Sequence, residues 1–151
     1  MKIKLFEISE LDFKALSVPI LFNDDSSDRV FGLISDNKNK YKLGWQSDVI
    51  KPVIKWINSN ICSIGIDQKF IIFEFDTGKV LLKTQLDYFF FDTLILNDSV
   101  YIITELELIK IKIKDFFIQE SYALPDYFES IRIEKDSIIV KCVDSQVINI
   151  N

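Results

Sequence analysis

The chain has 151 residues, 48% of them hydrophobic and 13% aromatic, with 4 Gly, 3 Pro, no His and a formal net charge of −5. This balance excludes an intrinsically disordered chain, which lacks the apolar residues to offset the entropy of ordering. The length suits a single domain, residues 1–151, that buries roughly two-thirds of its unfolded surface. The acidic excess argues against direct binding to nucleic acid, whose phosphates need Lys and Arg, and favours a basic partner.

Phe and Ile are abundant while Ala occurs only at Ala15 and Ala123, so strands are expected to dominate over helices. Lys2 to Ile8 alternates loosely and predicts a first strand. The stretch from Glu10 to Leu16 carries no clear pattern. Ser17 to Phe22 is a short apolar run broken by Pro19, which confines any strand there to a sheet edge or a strand start. Residues 23–29 form a polar loop, Val30 to Ile34 a strand, residues 35–40 a polar turn, and Tyr41 to Gln46 the next strand. Ser47 to Asn58 is ambiguous. Val49, Ile50, Val53, Ile54 and Ile57 have helical spacing, but Pro52 lies too deep for a helix start, so a break at Pro52 followed by a strand from Val53 to Ile57 is favoured over a short helix.

From Ile61 onward the pattern is regular. Phe70 to Leu86 reads as a hairpin reversing at Asp76-Thr77-Gly78-Lys79, where Gly78 supplies positive φ. It follows a strand over 61–66 and a turn at Asp67-Gln68-Lys69. Leu86 to Phe91 leads into Asp92 to Leu96, and strands follow over 100–104, 108–114, 116–124, 130–134, 137–143 and 146–150. Ile109, Ile111 and Ile113 alternate with Lys110, Lys112 and Lys114, whose charges are expected to guard a strand against edge pairing. Three segments, SIGIDQKFIIFEFD, LILNDSVYIITEL and IRIEKDSIIVKCV, repeat an apolar run, an Asp turn and a second apolar run. Their turn aspartates are Asp67, Asp98 and Asp136. Repeats at this spacing indicate stacked supersecondary units. They resemble the four-stranded blades of β-propellers. The expected fold is all-β: consecutive antiparallel meander sheets in an incomplete or irregular propeller-like set, with a β-sandwich as the alternative.

The absence of His removes Ser-His-Asp and Cys-His catalysis and His-ligated metals. No Gly-rich phosphate loop, G-x-S-x-G elbow or C-x-x-C is present, so no cofactor is expected. Carboxylate-only catalysis has no identifiable pair, and the expectation is a non-enzyme. Asp24, Asp25 and Asp28 do not match a calcium loop and read as a solvated loop. Cys62 and Cys142 read as isolated buried thiols of a cytoplasmic protein in preference to a disulfide. No apolar run reaches the length of a membrane span, and Glu7 and Glu10 interrupt any signal-like core.

Tyr88, Phe89, Phe90 and Phe91 form the densest aromatic run; packing between sheets is the first reading, an exposed anchor ringed by Asp87 and Asp92 the second. Trp45 and Trp56 carry the same two readings. Acidic residues at strand ends, among them Glu105, Glu107, Asp126 and Glu129, form an acidic patch if they converge. The segments ELELIKIKI (105–113) and ALPDYFESI (123–131), in a small acidic chain rich in Ile, Phe, Asn and Lys, resemble immunity proteins of bacterial toxin–immunity systems, including contact-dependent growth inhibition. The resemblance implies a cognate toxin, commonly a nuclease with a basic cleft, blocked over an interface of about 1,200–2,000 Å². The candidate toxin-binding residues are Asp87, Tyr88, Glu105, Glu107, Asp126, Tyr127 and Glu129. A propeller-like interaction module in a larger assembly is the second functional reading.

Overall fold

A computed structural model describes residues 2–23 and 28–151. The chain partitions into two compact units, Met1–Gln85 and Leu86–Asn151.

The first unit contains β1 (Lys4–Ile8), α1 (Glu10–Ala15), β2 (Ile20–Phe22), β3 (Val30–Ser35), β4 (Lys40–Trp45), β5 (Val53–Trp56), β6 (Ile61–Ile66), β7 (Lys69–Glu74) and β8 (Val80–Gln85). Its two sheets have the orders β1-β3-β4-β2 and β5-β6-β7-β8. The second is an antiparallel meander. The first is antiparallel except for β2, which runs parallel to β4 with a register shift. Pro19 immediately precedes β2, an edge strand as its missing N–H requires. Pro52 likewise sits just before β5, and the helical spacing of residues 49–57 is not realised.

The unit's core joins Leu21, Phe22, Ile34, Leu43 and Trp45 to Cys62, Ile64, Ile71, Phe73 and Phe75. Gly32 makes room for it: a Cβ there would lie 2.8 Å from the Trp45 ring. Gly78, at φ 77°, closes the β7–β8 hairpin, its amide donating to the Glu74 carbonyl at 2.9 Å. Tyr41 packs its ring against the same turn and donates its hydroxyl to the Phe75 carbonyl at 2.6 Å.

Helix α1 was not legible from periodicity. It has only six residues, begins at Ser9, whose hydroxyl accepts from the Asp12 amide at 3.0 Å, and buries one side chain, Phe13, against Phe31. So short a helix is held by tertiary contacts rather than by propensity.

The second unit contains β9 (Phe90–Leu96), β10 (Ser99–Thr104), β11 (Glu107–Lys112), β12 (Phe117–Ala123), β13 (Phe128–Glu134), β14 (Ser137–Cys142) and β15 (Val147–Ile150). They form two antiparallel meanders, one of four strands in the order β9-β10-β11-β12 and one of three, β13-β14-β15. Tyr101, Ile103, Leu108, Phe128, Val140, Cys142 and Ile150 share its core. The all-β, meander, blade-like class holds for the chain.

Several expectations need correction. The strand leading into Asp92 begins only at Phe90; residues 86–89 lie outside it. The repeat of turn aspartates is out of frame by one residue. The equivalent positive-φ positions are Asp67, Asn97 and Lys135, so Asp98 and Asp136 follow the residue that matches Asp67. Asp and Asn tolerate this conformation better than Lys. The lysine stripe does not guard an edge, because β11 lies between β10 and β12. Lys110 instead reaches over the Tyr101 ring, and Lys112 pairs with Asp98 at 2.7 Å, holding that carboxyl below its ordinary range. Of the acidic loop, Asp24 and Asp25 lie outside the described residues. Asp28 is not solvated: its side chain is fully buried and paired with Lys69 at 3.0 Å.

Cys62 and Cys142 are free and buried. Burial pushes the Cys62 thiol up to about 12, and the thiolate is the reactive form. Both thiols are therefore expected to resist Ellman's reagent in the native protein and to react once urea unfolds it. Rapid native-state labelling would contradict this placement.

Candidate functional site

One end of the second unit gathers four separate segments on a single hydrogen-bonded rung. The Glu105 amide donates to the Phe89 carbonyl at 3.1 Å, and the Phe89 amide donates to Glu105 Oε1 at 3.1 Å. The Glu105 carbonyl accepts from the Phe128 amide at 2.8 Å, and the Tyr127 carbonyl accepts from the Val143 amide at 2.9 Å. The Glu105-Leu106 turn thus ties the entry to β9 to the entry to β13, with Leu124 donating to the Leu106 carbonyl at 2.9 Å.

This rung carries apolar side chains outward. Phe89, Phe91 and Tyr127 are 50%, 57% and 52% exposed, and Val143 beside them is also exposed. Phe91 is held by the buried Phe128 ring, centroid to centroid 4.9 Å at a 58° tilt. Exposed single hydrophobics are ordinary; several exposed aromatics on segments tied by hydrogen bonds to one turn make this end the candidate for binding.

The sequence-derived candidates fall into two groups. Tyr88, Glu105, Asp126 and Tyr127 lie on the rung or next to it in sequence, and Asp87 precedes Tyr88; Asp126 Oδ1 accepts from the Tyr127 amide at 2.8 Å. Glu107 and Glu129 point to other partners: Glu107 accepts from the Ser121 hydroxyl at 2.6 Å, and Glu129 pairs with Lys141 at 3.3 Å. Near Glu107, burial pushes the Tyr122 phenol up to about 12, aided by its hydrogen bond to Glu120.

Phe89 and Phe91 stand outside the toxin-binding set but inside the aromatic run whose second reading is an exposed anchor; Val143 carries no sequence signal. Of the aromatic run, Phe90 alone is buried, while Tyr88, Phe89 and Phe91 face outward, so packing between sheets describes one ring of four. Phe91 is the residue left unpaired by a register shift between Asp92↔Ile103 and Phe90↔Thr104, and no local pattern gives Phe89 or Val143. The tryptophans divide: Trp45 is fully buried, and Trp56 is partly buried against the first core.

Other regions are less suited to chemistry. A depression of about 790 Å³ in the first unit is lined by Lys2, Lys4, Phe6, Asp36, Lys38 and Asp76. Its Asp36 carboxylate accepts from the Lys38 and Asn39 amides, both at 2.7 Å, which holds it below the usual carboxylate range. A general acid needs the opposite shift. Among the described residues no group of three or more Cys, Asp or Glu side chains is placed to hold a metal ion, and no helix is long and apolar enough to cross a membrane.

The fold defines an all-β protein of consecutive blade-like sheets. No family model matches the chain, and no curated protein does. Among solved structures it is similar to the crystal structure of the computationally designed Ika4 protein, with a TM-score of 0.59 at 12% identity, covering 89% of this chain and 92% of that one. At that identity the likeness concerns the fold alone.

Proposed function

We propose that the protein is an immunity-type inhibitor acting in the cytoplasm, which binds a basic bacterial toxin domain, a nuclease being the expected class, and blocks its active site without catalysing a reaction. The observation that carries this reading is the exposure of Phe89, Phe91 and Tyr127 on the segments gathered at the Glu105 rung. Rigid aromatics on a fixed frame serve as binding anchors because they bury large area and lose little conformational entropy. The neighbouring carboxylates Asp87, Glu105 and Asp126, in a chain of net charge −5, favour approach to a basic surface. Segments 105–113 and 123–131, which resemble immunity proteins, contribute Glu105 and Tyr127 to this same rung.

The test is protection. A toxin domain, sought in the reading frames adjacent to this one, is expressed with and without this protein. Wild type restores growth and binds the purified toxin, with an on-rate that falls as salt is added. Phe89→Ala with Tyr127→Ala weakens binding by about 100-fold and abolishes protection, the scale expected of paired hot spots. A double variant that protects as well as wild type would sink this site, and a salt-independent on-rate would remove the electrostatic part. The second reading, a propeller-like interaction module of a larger assembly, rests on the blade-like sheets and expects no protection against any toxin.

A further inference from the structure

β15 is built unlike the other strands that border the four sheets. β1, β5, β8, β9, β12 and β13 each contain at least one charged residue, for example Lys55 in β5, Lys83 in β8, Asp92 in β9 and Glu120 in β12. The short β2 has a register shift against its neighbour, as do β8, β9, β12 and β13. Charges and bulges of this kind prevent edge-to-edge pairing. β15, Val147-Ile148-Asn149-Ile150, has no charge, and its register with β14 is unbroken from Lys141↔Val147 to Ile138↔Ile150.

Its rank in the sheet makes the contrast sharper. The third strands of the two four-stranded meanders, β7 and β11, have a strand on each side, whereas β15 pairs only with β14 among the described residues. It therefore has the composition of an interior strand and an open edge. Ile148 and Ile150 face the core beside Val140 and Ile138, while Val147, 58% exposed, and Asn149 face solvent.

We propose that the open edge of β15 is the docking site for a second copy of this chain, the two β15 strands pairing antiparallel about a two-fold axis into one six-stranded sheet. The sequence of the strand suits itself. A two-fold normal to the sheet keeps each residue on its own face. Centred on Asn149, it sets Ile148 opposite Ile150 of the second copy twice, extending each core, and it places the two Asn149 amides together, each able to donate and accept. A two-fold centred on Lys55 of β5, Lys83 of β8, Asp92 of β9 or Glu120 of β12 would instead set that charge against its own copy. The contact is smaller than a standard interface, so the dimer is weak, with a Kd on the order of 100 µM. This inference does not depend on the toxin-binding reading, whose residues lie on other segments.

Sedimentation equilibrium of the full chain from roughly 5 to 500 µM tests it. The expected result is a rise from the 17.6 kDa monomer toward twice that mass. The association should tighten with added salt, because two acidic chains repel and the paired edge carries no charge. Val147→Lys and, separately, Asn149→Lys, both at solvent-facing positions, weaken it at least tenfold, while Ile133→Lys on the opposite edge strand β13 leaves it unchanged. In wild type, hydrogen exchange of β15 amides slows with concentration, a readout that needs no variant. A monomer throughout the range overturns the proposal, as does a dimer indifferent to both β15 substitutions or equally sensitive to Ile133→Lys.

Discussion

Replacing Lys69 by Met is expected to lower stability by about 3–5 kcal/mol, the loss typical of removing one partner from a buried ion pair. The Asp28 side chain is wholly inaccessible, and the Lys69 ammonium lies 3.0 Å from its Oδ1. The same ammonium is 5.6 Å from the Phe22 ring centroid and 3.5 Å from the Gly44 carbonyl. Gly44 is what lets the carboxylate in: a Cβ there would sit 2.5 Å from Asp28 Oδ2. Without the ammonium, the buried carboxylate loses this counter-ion. The pair itself need not be a large net source of stability, since both ions were desolvated to form it. The double substitution Asp28→Asn, Lys69→Met should therefore recover part of the loss. Urea unfolding of the four proteins of this cycle measures both effects. A loss below about 1 kcal/mol for Lys69→Met, the scale of an exposed pair, would show that the site is solvated.

The second large effect is expected at Lys42. It lies on β4, between β3 and β2, and is buried, an unusual position for a lysine. Its Nζ donates to the Phe13 carbonyl at 2.6 Å and to the Leu16 carbonyl at 2.7 Å, and it stands 4.8 Å from the Phe13 ring centroid. Carbonyls in the last turn of a helix have no partner within the helix, and a cation there satisfies them and favours the negative end of the dipole. Lys42 therefore holds α1 on its sheet. Lys42→Met keeps the apolar stem and removes only the donor, at an expected cost of about 2 kcal/mol for two charge-assisted bonds offset by the relieved desolvation. Hydrogen exchange should locate the damage, with faster exchange at the Phe13 and Leu16 amides and little change in β6 and β7. Uniform acceleration across the unit would mean that Lys42 supports the core as a whole rather than the helix.

Neither of these buried charges could be recognised from its neighbours in sequence. Lys42 follows Tyr41 and precedes Leu43 in a run that reads as a strand, and Asp28 lies in a polar segment that reads as solvated. What buries them is a partner far away in the chain: Phe13 and Leu16 for one, Lys69 for the other. The candidate site divides in the same way. Asp126 and Glu105 stand out by their position near strand ends, and Tyr127 by the segment 123–131 that resembles immunity proteins. Phe89 and Val143 joined them only through hydrogen bonds that link residues 89, 105, 127, 128 and 143. The lysine stripe on β11 shows the limit from the other side: the alternation holds from Ile109 to Lys112, where the strand ends ahead of Ile113 and Lys114, but whether a strand is interior or at an edge depends on what pairs beside it.

The amino-acid sequence alone determined the strand rhythm, the reversals at Gly78 and the two-residue turns, and the breaks at Pro19 and Pro52. These follow from local physics: backbone sterics, the missing proline N–H and period-two alternation act within a few residues. Tertiary structure alone decided that six residues near the start form a helix, that Phe90 is buried while its aromatic neighbours are exposed, and that, among the described residues, β15 has a strand on one side only. Those outcomes depend on which surfaces meet after the chain has folded, and the free energies that choose between them come from burial and pairing across long sequence separations.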